Sequence, residues 1–456
     1  MTRALRENAL CALWACLGCA VLAWLGLVSP VWSDYEVESA PAVRELLAGH
    51  IGGFLSVAPV YGGSLIERAP FAELASLAGG GETSVYRLLA LPCLLATALI
   101  GVWLLARMRA QRGSLLARAV VLGLCAANPI ALLALELGHP EELLGASLCV
   151  AAALLAAAPV VGRPRALLTG ALIGLAVANK QWALLVAGPV LLALPAGRRA
   201  ACLLAAGAVA ASIEAPLLLG GSGSFASGAL SAASSSSTVF QPEQLWWFFG
   251  DHGALVHGLF GAAKPGYRAA PAWANQISHP LALLAALAIA AALWLRLRER
   301  RLPLRAVLLA MTSTMLVRCL LDTWDTAYYL LPAILALLAY EAHEPSGRPA
   351  VLALTLTVLS WMQFQWLPGH VSPDAQSAIF LLWMLPLLAA LAARLLGLLS
   401  QLQAPSGGDS LSLRPRLGQR RQETTVSSFG RAVSTSHPPS RTTVRSSMRT
   451  PSTPGR

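Results

Sequence analysis

Charge is what this 456-residue chain has least of. Asp, Glu, Lys and Arg make up 12% of it, where a soluble globular protein carries roughly 25%. With 56% hydrophobic residues and a mean hydropathy of +0.63, that scarcity excludes a string of soluble domains. Lysine is nearly missing: Lys180 and Lys264 stand against 31 Arg. The eight Cys (11, 16, 19, 93, 125, 149, 202 and 319) all lie in or beside apolar runs. Cys16-Leu-Gly-Cys19 has CxxC spacing, but it lies inside the first apolar run with no second pair, so the eight read as small apolar side chains rather than ligands or disulfides. Also missing are a Walker A loop, a GxGxxG followed by an acid, a GxSxG with partners and an HExxH. Without them the familiar nucleotide-binding, serine-hydrolase and zinc-protease signatures drop out.

Apolar runs are abundant instead. The first, from about residue 8 to 28, follows Arg3 and Arg6 and is too long for the apolar core of a signal peptide, so it reads as an uncleaved span. Others fall near 85–106, 115–135, 143–161, 166–178, 182–195, 200–219, 280–296, 303–318, 327–341, 349–367 and 374–396. Crossing a hydrocarbon core of roughly 30 Å takes about 20 residues of helix. Leu/Ala-rich runs without period-two alternation favour helices over a barrel. The expected fold is therefore all-α, a polytopic bundle of about 12 spans. The pair 166–178 and 182–195 is short and reads either as two spans or as a re-entrant hairpin with Asn179–Trp182 at its tip. A transmembrane domain is expected over 1–400, with long outer loops near 31–84 and 215–279.

The connections alternate in charge. Short ones carry Arg107/Arg109/Arg112, Arg163/Arg165, Arg198/Arg199, Arg296 to Arg301 and Arg348; the opposite set holds most of the acids. By the excess of basic residues in cytoplasmic loops, both termini are expected inside a cell inner (plasma) membrane. The net charge of +11 is mostly a tail effect. Residues 401–456 hold nine Arg against Asp409 and Glu423, in a Ser/Thr/Pro-rich stretch expected to be disordered. No folded basic module is present, so nucleic acid is not an expected partner; the lipid bilayer is.

Four polar clusters interrupt the apolar pattern on the acidic side. Ser33-Asp34-Tyr35-Glu36-Val37-Glu38 follows the first run, and carboxylates at a membrane edge suit general-base work. Glu136-Leu-Gly-His139-Pro-Glu141-Glu142 fills one turn, and a turn needs neither a His nor three Glu. Lys180, in Asn179-Lys-Gln-Trp182, is a compact cation in apolar surroundings, which usually faces a cavity or a partner. Arg318 heads a segment running through Asp322, Trp324 and Asp325 to Tyr329; its partner is either Asp322, four residues on, or a ligand phosphate. His50, His252, His257, His279 and His370 have no metal-ligand spacing, so no metal site is assigned to them.

Across residues 9–397 these features resemble the GT-C superfamily of integral-membrane glycosyltransferases, and most of all the polyprenyl-phosphate-mannose-type enzymes of glycosyltransferase family 87. The likeness rests on the acidic segment after the first span (Asp34, Glu36), Tyr61-Gly-Gly-Ser-Leu-Ile-Glu-Arg-Ala-Pro70, Gly138-His-Pro-Glu141, Asn179–Trp182 and Arg318 through Tyr329. It implies inverting transfer of a hexose such as mannose, from a polyprenyl-phosphate sugar to a lipid or glycan (glycolipid) acceptor on the extracytoplasmic face. It further implies that Asp34 is the base, that Lys180 and Arg318 hold the leaving phosphate, and that Glu36, His139, Glu141 and Asp322 bind substrate. No cofactor is implied, and a divalent cation stays open. The family's first loop often reads Asp-x-Asp; here it reads Asp34-x-Glu36-x-Glu38. A transporter or lipid flippase is the competing reading of twelve spans, although the halves show no internal repeat and the ionisable groups gather at one face.

Overall fold

A computed structural model describes residues 3–28, 34–111, 113–220, 228, 240–253, 256–257, 263–297 and 300–403. Ser33, nearly all of the 220–237 Gly/Ser tract and the tail from 404 onward lie outside them. The protein is all-α and polytopic, and 80% of the described residues are helical.

The first helix, α1, is Arg3–Val28. The stretch expected as an outer loop is itself helical: a single π-turn over Tyr35–Ser39, then α2 (Ala40–Leu47), α3 (Ile51–Val57) and α4 (Gly62–Leu77). These pieces are too short to register as runs. They bury Val43, Phe54, Leu65 and Ala72 in a small apolar cluster of their own with Tyr35 and Tyr86.

Next comes α5 (Glu82–Ala110). The 115–135 run divides into α6 (Leu115–Ala126) and α7 (Pro129–Leu137). Pro129 cannot donate to a continuing ladder. Instead Asn128 Oδ1 accepts from the Ile130 amide at 2.9 Å and caps the new helix. Then follow α8 (Glu141–Ala156) and α9 (Arg163–Asn179). At Lys180 the backbone turns extended, and the chain continues through a 3₁₀ turn, Gln181–Val186, into α10 (Ala187–Ala193). Helix α11 (Ala196–Gly220) lies along α9, where a Cβ on Gly174 would sit 2.6 Å from the Ala206 carbonyl. Small residues permit that approach.

After a two-residue antiparallel ladder (β1 Val256–His257, β2 Ala263–Lys264) come α12 (Ala272–Leu297), α13 (Leu304–Leu321), α14 (Leu331–Ala342), α15 (Val351–Trp361) and α16 (Pro373–Gln403).

Each of the twelve apolar runs thus falls on helix. Among the described residues six stretches are long and apolar enough to cross a membrane: Glu82–Ala110, Leu115–Leu137, Ala196–Gly220, Ala272–Leu297, Leu304–Leu321 and Pro373–Leu402. Helix α13 is the axis of the core, packed by α8, α10, α12, α14 and α16 and buried from Ala306 to Leu316. The interhelical polar atoms mostly bond their own helix: Thr312 to Leu308 O and Thr314 to Ala310 O. Such back-bonds satisfy these two hydroxyls without help from lipid or packed side chains.

Candidate active site

Two turns meet to form the centre of the site. Asp34 leads into the π-turn, where Tyr35 is buried with its ring 4.7 Å from that of Tyr86. Opposite lies Gly138, which ends α7 at φ +94 and touches the Tyr35 backbone: a Cβ there would stand 2.6 Å from the Tyr35 nitrogen. Only glycine meets both demands at low cost. The turn then presents His139, and Pro140 starts α8 with Glu141 and Glu142 in its first turn. That position favours acids, since helix N-termini carry partial positive charge.

His139 joins two carboxylates. Its Nε2 is 3.4 Å from Asp34 Oδ2, and its Nδ1 is 2.8 Å from Glu141 Oε1. Glu141, fully buried, also contacts Lys180 Nζ at 3.2 Å and Arg68 Nη2 at 3.4 Å. Its backbone carbonyl accepts from Asn179 Nδ2, whose Oδ1 in turn accepts from the Ser64 hydroxyl, both at 2.8 Å. Lys180 is set at the break after α9, so its ammonium is not tied to a helix face. It lies 3.4 Å from Glu142 Oε1 and 4.2 Å above the Tyr61 ring. Trp182 Nε1 donates to Glu142 Oε2 at 2.8 Å.

Burial by itself would push the His139 imidazole down. The Glu141 charge, with hydrogen bonds to Asp34 and Glu141, outweighs that and lifts it to about 9, while Lys180 works the other way.

Aromatic rings connect this centre to Arg318. Tyr61 donates to Glu38 Oε2 at 2.6 Å, and its ring meets His139 edge-on. Tyr328 also lies against His139, ring centroids 4.7 Å apart, and touches Tyr329. The Arg318 guanidinium sits 4.1 Å over Tyr329. Its Nη1 is buried without a hydrogen-bond partner among the described residues. Asp322, which spacing alone would pair with Arg318, instead pairs with His279 at 3.2 Å and accepts from the Trp324 amide.

Of the residues singled out from the sequence, Asp34, His139, Glu141 and Lys180 are thus interlocked. Arg318 lies two tyrosines away, and Asp322 sits at the far end of the same stretch. Glu36 points outward and is exposed. Arg68, Tyr61, Glu142, Tyr328 and His279 enter the site without having been singled out as site residues. Arg68 had one signal, a cation in the otherwise mild Leu65-Ile-Glu-Arg-Ala-Pro70 stretch. Among the described residues, no three His, Cys, Asp or Glu side chains are grouped to hold a metal ion.

This layout can take a proton at its wet edge, where the Asp34 side chain is 20% exposed, and can neutralise an anion at Arg318. No curated protein and no solved structure matches the chain. A family model, glycosyltransferase family 87, matches residues 68–321, from the buried Arg68 to the last residue of α13. That stretch is more than half of the chain and includes His139, Glu141, Lys180 and Arg318; the protein is a multi-pass membrane glycosyltransferase belonging to glycosyltransferase family 87.

Proposed function

We propose that this glycosyltransferase moves a hexose such as mannose from a polyprenyl-phosphate sugar to a lipid-linked or glycan acceptor, at the extracytoplasmic face and with inversion. The observation that carries this reading is the pairing of a partly exposed carboxylate, Asp34, with a buried arginine that keeps a donor unspent, Arg318. Asp34 takes the proton of the acceptor hydroxyl as that oxygen attacks the anomeric carbon. The new C–O bond forms as the bond to the phosphate oxygen breaks, and the electron pair leaves with polyprenyl phosphate. Arg318 faces the phosphate as its charge grows, a role in which a preorganised cation is most effective.

Lys180 supports the same end of the site. Shared between Glu141 and Glu142, it favours phosphate binding through the field of the cluster and fixes both acids. His139 and Glu141, each nearly or fully buried, act here through Asp34 rather than on sugar hydroxyls. Glu36 and Asp322 remain the candidates for hydroxyl contacts. The outer helices α2 to α4 and the aromatic cluster around Trp246 (Trp246, Phe249 and Trp273, rings within 5.8 Å) suit a surface for the sugar and prenyl chain. A GT-C arrangement of twelve spans in the inner membrane, termini inside, puts this cluster on the side that lipid-linked sugars occupy.

The test uses purified, reconstituted protein with polyprenyl-phosphate-[14C]mannose and a membrane glycolipid extract. Radiolabel moves to the acceptor fraction, polyprenyl phosphate is released, and Asp34→Asn stops both. Normal turnover by that variant rejects the assignment of the base.

A further inference from the structure

Both ring nitrogens of His139 face a carboxylate: Nδ1 meets Glu141 at 2.8 Å and Nε2 meets Asp34 at 3.4 Å. A neutral imidazole has one N–H and one lone pair. In that form one of the two acids would confront a lone pair with its own. Only the doubly protonated ring offers each a hydrogen.

We infer that His139 is a positioning residue: a standing imidazolium that clamps the Asp34 carboxylate at the water-facing edge while Glu141, pinned by Arg68 and Lys180, clamps the ring. The inference builds on the glycosyl-transfer reading, in which Asp34 is the base, and adds what aims it. The clamp runs from wet to dry. Side-chain exposure falls from 20% at Asp34 to 5% at His139 and 1% at Glu141. Asp34 stands at the N-terminal edge of the π-turn, which runs on into α2. The start of α8 reaches its carboxylate through one ring. Tyr61 and Tyr328 both pack against the ring, which restrains its turning toward another partner.

The groups facing His139 are Asp34 before the π-turn, Glu141 at the head of α8, Lys180 at the break after α9, Tyr61 at the head of α4 and Tyr328 before α14; Arg68 acts through Glu141. The ring's charge is lost as pH rises through about 9. Transfer by the wild-type chain therefore falls over that range.

The test has two independent arms. Full-length protein carrying [13Cε1]-histidine is titrated in nanodiscs by NMR, with His139→Gln identifying the signal. His139 is expected cationic at pH 7.5, and Asp34→Asn is expected to weaken its proton binding by roughly tenfold or more. A ring that is neutral at pH 7.5, or indifferent to Asp34→Asn, overturns the clamp. In the second arm, turnover of polyprenyl-phosphate-[14C]mannose is followed against pH. His139→Gln should lower kcat by about 10²-fold, as misaimed groups do, and abolish the alkaline fall. A fall that persists in this variant assigns it to another group and also overturns the clamp. If the NMR arm behaves as stated and no sugar is transferred, the clamp stands and the transfer reading fails.

Discussion

Arg268 and Arg318 are both buried arginines at the same end of the helical core, and they are used in opposite ways. Arg268 is fully spent. Its Nε and Nη2 grip Asp374 at 2.8 and 2.9 Å, and its Nη1 reaches the Phe248 and Gly250 carbonyls. Trp247 adds a bond to the same carboxylate at 2.7 Å. This knot ties the segment around 247–268 to the first turn of α16, where the helix N-terminus already favours an acid. Arg318 is held by a tyrosine face and keeps Nη1 without a hydrogen-bond partner. A buried donor left unpaired costs roughly 1–3 kcal/mol. The contrast teaches that satisfied charges hold a fold together, while an unsatisfied one marks where chemistry is expected.

The sharpest way to break the contrast is to remove each arginine in turn. Arg318→Ala should cut kcat/KM for the polyprenyl-phosphate donor by about 10²–10³-fold, with the melting temperature nearly unchanged. Arg318→Lys should restore only part, because an ammonium lacks the planar fork. If Arg318→Ala unfolds the protein and the surviving fraction turns over normally, the distinction is lost. Lys180→Ala comes next. It should weaken donor binding by about tenfold, as the cluster loses a positive charge near the phosphate, and also lower stability, since Glu141 and Glu142 lose a shared cation; unchanged donor affinity in a binding assay removes Lys180 from any part in phosphate binding.

Arg268→Ala is expected to do the reverse of Arg318→Ala. Stability drops by about 1–2 kcal/mol, moderated because Asp374 is partly open to water, and activity per folded molecule stays within about threefold. Denaturant titration beside a turnover assay separates the two. The smallest effect belongs to Glu243, on the same strap. Burial pushes its carboxyl up to about 7, despite a bond from Gln363. The folded chain thus holds that proton more tightly than the unfolded one, and stability falls between about pH 4.5 and 7 as the group must ionise. Glu243→Gln should flatten that slope in thermal melts at pH 5 and pH 7.5; an unaltered slope would discard the assignment.

Hydropathy located every apolar helix, because burial in lipid and burial in protein select the same residues. It did not reveal α2, α3 and α4, whose seven to sixteen residues each show only half an apolar face. Local spacing left two partners open at Arg318, Asp322 and a ligand phosphate. Four residues on lies Asp322, but it is the C-cap of α13, and its backbone is extended. The side chain therefore leaves the helix face and meets His279. The run Asp34-x-Glu36-x-Glu38 brings three acids close together in sequence. A π-turn separates them and sends Glu36 outward. The Arg68–Glu141 contact joins residues 73 positions apart, and no local pattern carries such a pair. Legible motifs were those whose residues are odd for their place, such as a His in a turn and a Lys in an apolar stretch.

The separation between Asp34 and His139 depends on something smaller than either. Tyr35 and Gly138, their neighbours in sequence, meet backbone to backbone, with no room for even one methyl group. The spacing of the acid from the ring is therefore a matter of thickness, fixed where two peptide planes touch. Gly138→Ala would act as a shim, lengthening that separation while leaving every charged group of the site in place.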